Sequence, residues 1–569
     1  MVELSEIALM ILKDRYLLKN ERGEIIETPE AMFNRVANSI CEVDVTRVNP
    51  GEFQSCKQGI LDMLNNLEFL PNSPTLMNAG TTMGQLSACF VLPVHDSIEG
   101  IFDAVKNMAQ IHKSGGGTGF SFSELRPKGD IIHSTMGTSS GPLSFMNVFD
   151  ATTNAITQGG RRRGANMGIL DVDHPDIEDF IEAKRKGDVL KNFNLSVAVT
   201  DDFMEAVKQN REFPLVNPRT LKTSRKISAA ALFDKIAFSA WQTGDPGLIF
   251  IDEINRKNPT PKLGLIKSTN PCGEVPLYSF ESCNLGSINL TKVVKDKRID
   301  WDKLRDLTRF SVRFLDNVID ANKYPLADID NATKVNRKIG LGVMGFADLL
   351  ILIGIKYNEP KALDIADQVM KFIHDEADKT SIQLGIERGS FPNFIHSIYK
   401  GKVEAMRNAT RTAIAPTGTI SLIAGCSSGI EPLFSVYHKR EITGHGPVDY
   451  IHPLLIQQLR DRGLNAKRIV DEIKKRKTMN VPGIPDDMKS LYITAFEVDA
   501  DWHIKIQATF QAYVDNSVSK TINLPETAIV EDVKRCFFKA YELKTKGITV
   551  YRYNSQESQV LNLVEKSGE

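Results

Sequence analysis

Apolar residues in the first seventy positions recur at helical spacing. Thr28-Pro29-Glu30 supplies an N-cap with proline at the first helical position, and Met32, Val36 and Ile40 follow four apart. A second helix is predicted over 52–67. From Asn72 the pattern changes to short apolar runs separated by glycine and polar loops, and Ser87-Ala88-Cys89-Phe90-Val91-Leu92 reads as a strand. Asp96-Ser97 then offers a cap to a stripe of Ile98, Ile101, Phe102, Val105 and Met108, a helix whose apolar face serves either the core or an interface. Further helices are predicted over 229–241 and from Trp301 towards Asn322. Strands are predicted over 284–290 and 547–553, and 339–345 reads as an apolar strand-to-helix passage. The pattern divides the chain into an N-terminal helical region, 1–70, and an α/β region, 71–569.

Composition narrows the function classes. With 569 residues the chain can bury a large core, and a formal net charge of −1 argues against a nucleic-acid or membrane-surface partner. No window reaches the roughly 18 uninterrupted apolar residues of a spanning helix, and residues 1–13 lack a signal-peptide pattern. Seven scattered cysteines do not make a secreted disulfide framework, so a cytoplasmic protein with reduced thiols is expected. Metal-site spacings are missing, and no metal is expected.

Candidate chemistry concentrates in Asn270-Pro271-Cys272-Gly273-Glu274, with Cys283 close behind. Proline and glycine disfavour a regular helix here and favour a tight loop. An amide, a thiol and a carboxylate at alternate positions could hold, attack and deprotonate one small substrate; a turn with a buried cysteine is the plainer reading. Ala415-Pro416-Thr417-Gly418-Thr419-Ile420-Ser421 reads as a strand end feeding a helix N-terminus, either an anion site or a structural cap. The glycine-rich stretches 114–119 and 158–164 suit close backbone approach, the second adding Arg161, Arg162 and Arg163 as phosphate contacts or as a solvated loop.

Taken in order, Ser-Ala-Cys89, the N-x-C-x-E loop, Cys283 eleven residues after Cys272, and Pro416 to Ser421 resemble the catalytic subunit of ribonucleotide reductases. The likeness is strongest to the adenosylcobalamin-dependent class II and runs over nearly the whole chain. It implies a ten-stranded α/β barrel of two parallel half-barrels, with Cys272 at the tip of an internal finger loop. It also implies conversion of ribonucleotides, diphosphates in the first instance, to 2′-deoxyribonucleotides by thiyl-radical chemistry. In that scheme Cys272 is the radical cysteine, Glu274 the base for the 3′-hydroxyl, and Asn270 the amide that orients the sugar; Cys89 and Cys283 are the reducing pair. Ser73 and Ala88 with Pro416, Thr417, Gly418, Thr419, Ile420 and Ser421 match substrate contacts. Asp96, Ser97, Arg126, Arg162 and Arg163 match the site for a deoxynucleoside triphosphate effector, and the helix after Ser97 matches a homodimer interface. Cys41, Cys56, Cys426 and Cys536 are read as packing.

Two further features bear on class and turnover. Class I subunits receive their radical through adjacent tyrosines from a metal-bearing partner; here Arg552 separates Tyr551 from Tyr553, which fits class II. The resemblance does not identify the cobalamin contacts. No cysteine follows Cys536, so an external dithiol is expected, thioredoxin-like or on a separate cysteine-bearing protein.

Overall fold

The N-terminal helices form where capping and apolar periodicity agree. Thr28 accepts from the backbone N–H of Ala31 at the start of helix Pro29–Cys41, which buries Met32, Phe33, Val36, Ala37 and Ile40. The next helix, Pro50–Asn65, starts and ends two residues before the expected span, because Asn49 caps it and Pro50 takes the first helical position. In this computed structural model the described residues are 2–132, 136–156, 164–187, 189–442, 446–476, 478–555 and 561–562. Among them no helix is long and apolar enough to cross a membrane.

The rest of the chain builds a mostly parallel sheet that closes on itself. Strands β1 (Cys89–Val91), β2 (Gly117–Ser121), β3 (Asn166–Asp171), β4 (Phe193–Val199) and β5 (Gly247–Phe250) pair in that order, all parallel. β1 keeps only the middle of the expected 87–92 run. The second half runs from β6 (Ser282–Asn289) to β7 (Ile339–Met344), also parallel. It continues through the extended segment 410–414, which bridges Leu341 on one side and Val518 on the other. β8 (Thr521–Leu524) and β9 (Gly547–Arg552) complete it. The halves meet antiparallel at both seams, β6 with β1 and β5 with β9, so ten strands close into a barrel of two parallel half-barrels. Helices Ile98–Lys113, Ala229–Thr243 and Val530–Glu542 cover one flank. Trp301–Ala321, Pro360–Arg388 and the N-terminal helices cover the other.

A buried ionic network fastens the N-terminal layer to the barrel. Asp316, fully buried, accepts from Arg337 (2.8 Å), Arg388 (3.2 Å), Arg407 (3.2 Å) and Asn408 (3.0 Å). Arg388 also reaches Asp44 at 2.6 Å, which in turn holds Arg313 and Asn317. Burial alone would raise the Asp316 carboxyl, but Arg337, Arg407 and Arg388 hold it well below the usual carboxylate range. Removing the charge leaves buried cations uncompensated, so Asp316→Asn is expected to cost about 3–5 kcal/mol in urea unfolding. Because the folded carboxyl titrates below the unfolded one, its contribution is complete above about pH 4 and is lost as pH falls further. Asp316→Asn should therefore flatten the acid limb of stability against pH.

Candidate active site

The site is built on a hairpin that enters the barrel. Ser268–Thr269 pairs antiparallel with Pro276–Leu277, and the six residues between them form the tip. Gly273 turns the chain at φ +80°, a left-handed conformation open to glycine, and its N–H donates to the Asn270 carbonyl at 3.0 Å. Asn270 Oδ1 accepts from Val275 N–H at 3.0 Å and so closes the tip on itself. Both half-barrels hold the finger: Asn194 on β4 donates to the Pro271 carbonyl at 2.8 Å, and the N–H of Ser517 donates to the Glu274 carbonyl at 2.8 Å. β2 lies against it so closely that a Cβ on Gly119 would stand 1.7 Å from the Thr269 carbonyl oxygen.

Cys272, exposed at the tip, lies between two chambers and lines both. The smaller, ≈260 Å³, gathers Ser73, Ala88, Cys89, Asn270 and Glu274 with residues 416–420. Asn270 Nδ2 donates to the Cys89 sulfur at 3.2 Å. Cys89 and Cys283 are directly opposed across the antiparallel seam of β1 and β6, both buried and both reduced. Cys283 does not line the chamber; it stands behind Cys89, and burial pushes its thiol well above the ordinary range. At the far wall Thr417 takes φ +53°, uncommon for a β-branched residue, with its Oγ1 accepting from Gly429 N–H at 2.7 Å. That conformation turns the chain into the short helix Ile420–Ala424. Ser73 is oriented by a 2.7 Å hydrogen bond to Tyr16 of the N-terminal layer. Ser421 lies one step beyond the lining, hydrogen-bonded to Ser428 at 3.0 Å.

The larger chamber, ≈460 Å³, is lined by Asn194, Gly244, Gly247, Gln507, Lys520, Thr521, Asn523 and Tyr551, among others. Burial lowers both Lys520 and Lys546 there, Lys546 to about 8. Lys546 donates to the carbonyls of Asp515 and Asn516, at 2.6 Å each. On β9, Arg552 points to the outer face, stacked 4.3 Å over Trp241 and donating to its carbonyl, while Tyr551 lines the chamber.

The remaining expected residues lie elsewhere. Arg126 holds Asp96 through its Nε, 2.8 Å from Oδ2, and Ser97 caps helix Ile98–Lys113. Asp96 lines a third cavity, ≈450 Å³, with Asp171, Asp173, His174 and Lys267. Burial, then Asp173, pushes the Asp171 carboxyl up to about 6. Arg162 and Arg163 lie outside the described residues. Asn194, Ser517, Gln507, Lys520 and Lys546 carry no local signal in the sequence, since they come from separate strands, turns and a helix and gather around the larger chamber only in the closed barrel.

The family described as "Ribonucleotide reductase, barrel domain" matches residues 87–405 and 398–551, and "Ribonucleotide reductase, all-alpha domain" matches 2–84. A vitamin B12-dependent ribonucleoside-diphosphate reductase of Thermoplasma acidophilum is 48% identical over 97% of this chain and 79% of its own length. A protein of the same description from Mycobacterium tuberculosis is 46% identical over 99% of this chain and 81% of its own. A vitamin B12-dependent ribonucleotide reductase of Streptomyces avermitilis is 31% identical over 88% and 60%.

Gly119→Ala tests the finger's seat directly. The added methyl displaces the Thr269 carbonyl and with it Cys272, so activity should fall at least 10²-fold. Far-ultraviolet circular dichroism should be unchanged, since only the hairpin needs to move.

Proposed function

The chain belongs to the ribonucleotide reductase family, and from that premise we propose how its residues divide the reduction of a ribonucleotide to a 2′-deoxyribonucleotide. The observation that carries the reading is Cys272 standing between two chambers, one holding a carboxylate and Cys89, with Cys283 opposed behind it, the other room for a cofactor. The chemistry is that of a vitamin B12-dependent reductase, the description its 46–48% identical relatives bear. The class I alternative is not favoured, and the outward turn of Arg552 between Tyr551 and Tyr553 agrees with that.

The larger chamber is where the cofactor's reactive group would meet Cys272, and Asn194, Gln507, Asn523 and Thr521 would offer it amide and hydroxyl partners. When bound, adenosylcobalamin supplies the one-electron oxidising equivalent that makes the Cys272 thiol a thiyl radical. The chain's own groups do the rest. Cys272 Sγ takes the hydrogen from C3′, a feasible and reversible exchange because S–H and activated C–H bonds are of similar strength. Glu274 removes the 3′-hydroxyl proton, and Asn270 orients the sugar from its fixed place on the tip. The 2′-hydroxyl leaves as water. Cys89 and Cys283 give up two electrons and two protons in all and end as one disulfide, after which Cys272 returns hydrogen to C3′. The turn at Thr417 and the start of helix Ile420–Ala424 present N–H groups and hydroxyls to the phosphates, with Ser73 and Ala88 nearer the ribose and base.

Asp96, Ser97 and Arg126, with the segment carrying Arg162 and Arg163, are assigned to a deoxynucleoside triphosphate effector. The helix from Ile98, with Ile98 and Phe102 exposed, is assigned to a homodimer face. Each turnover consumes the dithiol, so an external dithiol reductant completes the partners.

Purified chain with adenosylcobalamin, a ribonucleoside diphosphate and dithiothreitol is expected to yield the deoxynucleotide, assayed by chromatography. Cys272→Ala should give none, even in a first turnover, and product from that variant overturns the assignment. Glu274→Gln should slow turnover by about 10²–10⁴-fold. Added deoxynucleoside triphosphates should change the ratio of products from mixed ribonucleotides, and Arg126→Ala should erase that change.

A further inference from the structure

A buried ion pair stands beside the dithiol without touching substrate. Lys338 and Glu281, each only 2% exposed, meet at 2.6 Å. Glu281 is held further by Asn336 Nδ2 at 2.5 Å and Tyr278 N–H at 2.8 Å, and the Lys338 ammonium lies 4.7 Å over the Tyr278 ring. The parallel register pairs Asn284 with Ile339, which sets Lys338 level with Cys283. Across the other edge of β6, Cys283 is paired with Cys89. The three residues thus form one row across the sheet: Cys89 at the substrate chamber, Cys283 behind it, and Lys338 behind that. Glu281 lies just before β6, two residues from Cys283.

The order along this row decides how a disulfide here can be reopened. Cys89 lines the chamber and Cys283 does not, so an attacking thiolate that enters with solvent reaches the Cys89 sulfur. The electron pair of the broken S–S bond must then leave on Cys283, which is fully buried. An isolated thiolate buried there is costly, and exchange slows as the leaving thiol becomes harder to ionise. A fixed ammonium beside it offsets that cost. Of the charged groups acting on Cys283, Lys338 favours the thiolate, against burial, Glu274 and Glu281.

We propose that Lys338 is a positioning residue for re-reduction of the Cys89–Cys283 disulfide, stabilising Cys283 as the leaving thiolate. Glu281 holds the ammonium in place between turnovers. In the first step the external dithiol's thiolate forms a bond to Cys89 Sγ, the Cys89–Cys283 bond breaks, and Cys283 leaves as thiolate and takes up a proton. In the second, the reductant's other thiolate attacks its own sulfur of the mixed disulfide and releases Cys89. The reductant ends oxidised by two electrons, and both protein thiols are restored. The inference rests on the reading of this pair as the reducing dithiol.

The test oxidises substrate-free protein with diamide, adds dithiothreitol, quenches with an alkylating agent at intervals and follows the Cys89 and Cys283 peptides by mass spectrometry. Lys338→Gln should re-reduce about tenfold more slowly than wild type. Lys338→Arg, which keeps the charge, should stay close to wild type. If the lone Glu281 left by Lys338→Gln prevents folding, Lys338→Gln with Glu281→Gln removes the pair neutrally and should be as slow. With a monothiol in place of dithiothreitol, the trapped adduct should sit on Cys89. Wild-type rates in the Gln variants, an Arg variant as slow as Gln, or an adduct on Cys283 each overturns the proposal. A failure of the functional reading looks different: wild-type protein would then complete a turnover without forming this disulfide, whatever the variants do.

Discussion

One backbone carbonyl, that of Thr269, occupies the space that any side chain at residue 119 would fill. Everything at the site follows from that contact. The finger can enter the lumen only because β2 presents a bare Cα there, and it stays because both half-barrels hydrogen-bond to it, Asn194 and Cys89 from the first and Ser517 from the second. Two of its backbone carbonyls, at Pro271 and Glu274, are thereby paired. Neither half-barrel could place Cys272 alone. The seams that close the sheet, β1 with β6 and β5 with β9, are therefore part of the site's geometry.

Charge is distributed around this frame so that buried ions hold elements in register. Asp316 and Asp44 tie the N-terminal helices to Arg337, Arg388 and Arg407. Arg411, in the segment between β7 and β8, is clasped by Asp378 and Asp515 at 2.6 and 3.2 Å. Such pairs add little net stability against apolar packing, since desolvation offsets most of the attraction, but a misplaced partner is strongly disfavoured. The segment 410–414 is held by backbone hydrogen bonds to Ile339 and Leu341 on one side and to residues 516–519 on the other, and the ion pairs of Arg411 add to them where the second half-barrel closes.

The sequence made some of this plain and hid the rest for physical reasons. The helices before residue 70 were legible because capping residues and periodicity act within a few positions, as at Thr28 and Asn49. The N-x-C-x-E tip was legible because proline, glycine and three reactive groups share five residues. The opposition of Cys89 to Cys283 rests on strand register between segments nearly two hundred residues apart, which no local pattern encodes. Resemblance supplied it, and the β1–β6 pairing now gives it a geometric basis. Lys338 and Glu281 were not singled out because, read locally, each is an ordinary charged residue beside a strand. Their burial appears only once β6 and β7 are side by side. Tyr16, which orients Ser73 from the N-terminal layer, was hidden in the same way.

The placement of Cys272 in the wall between two chambers has an evolutionary consequence. In the proposed division the sugar meets the sulfur from one side and the source of its unpaired electron from the other, and the two cavities share only Pro271, Cys272 and Pro416 in their linings. Mutations that reshape the larger chamber need not disturb the geometry that binds and reduces the nucleotide. An ancestral barrel of this design could exchange one oxidant for another while its treatment of the ribose stayed fixed, with selection acting on the two sides as separable modules joined through a single thiol.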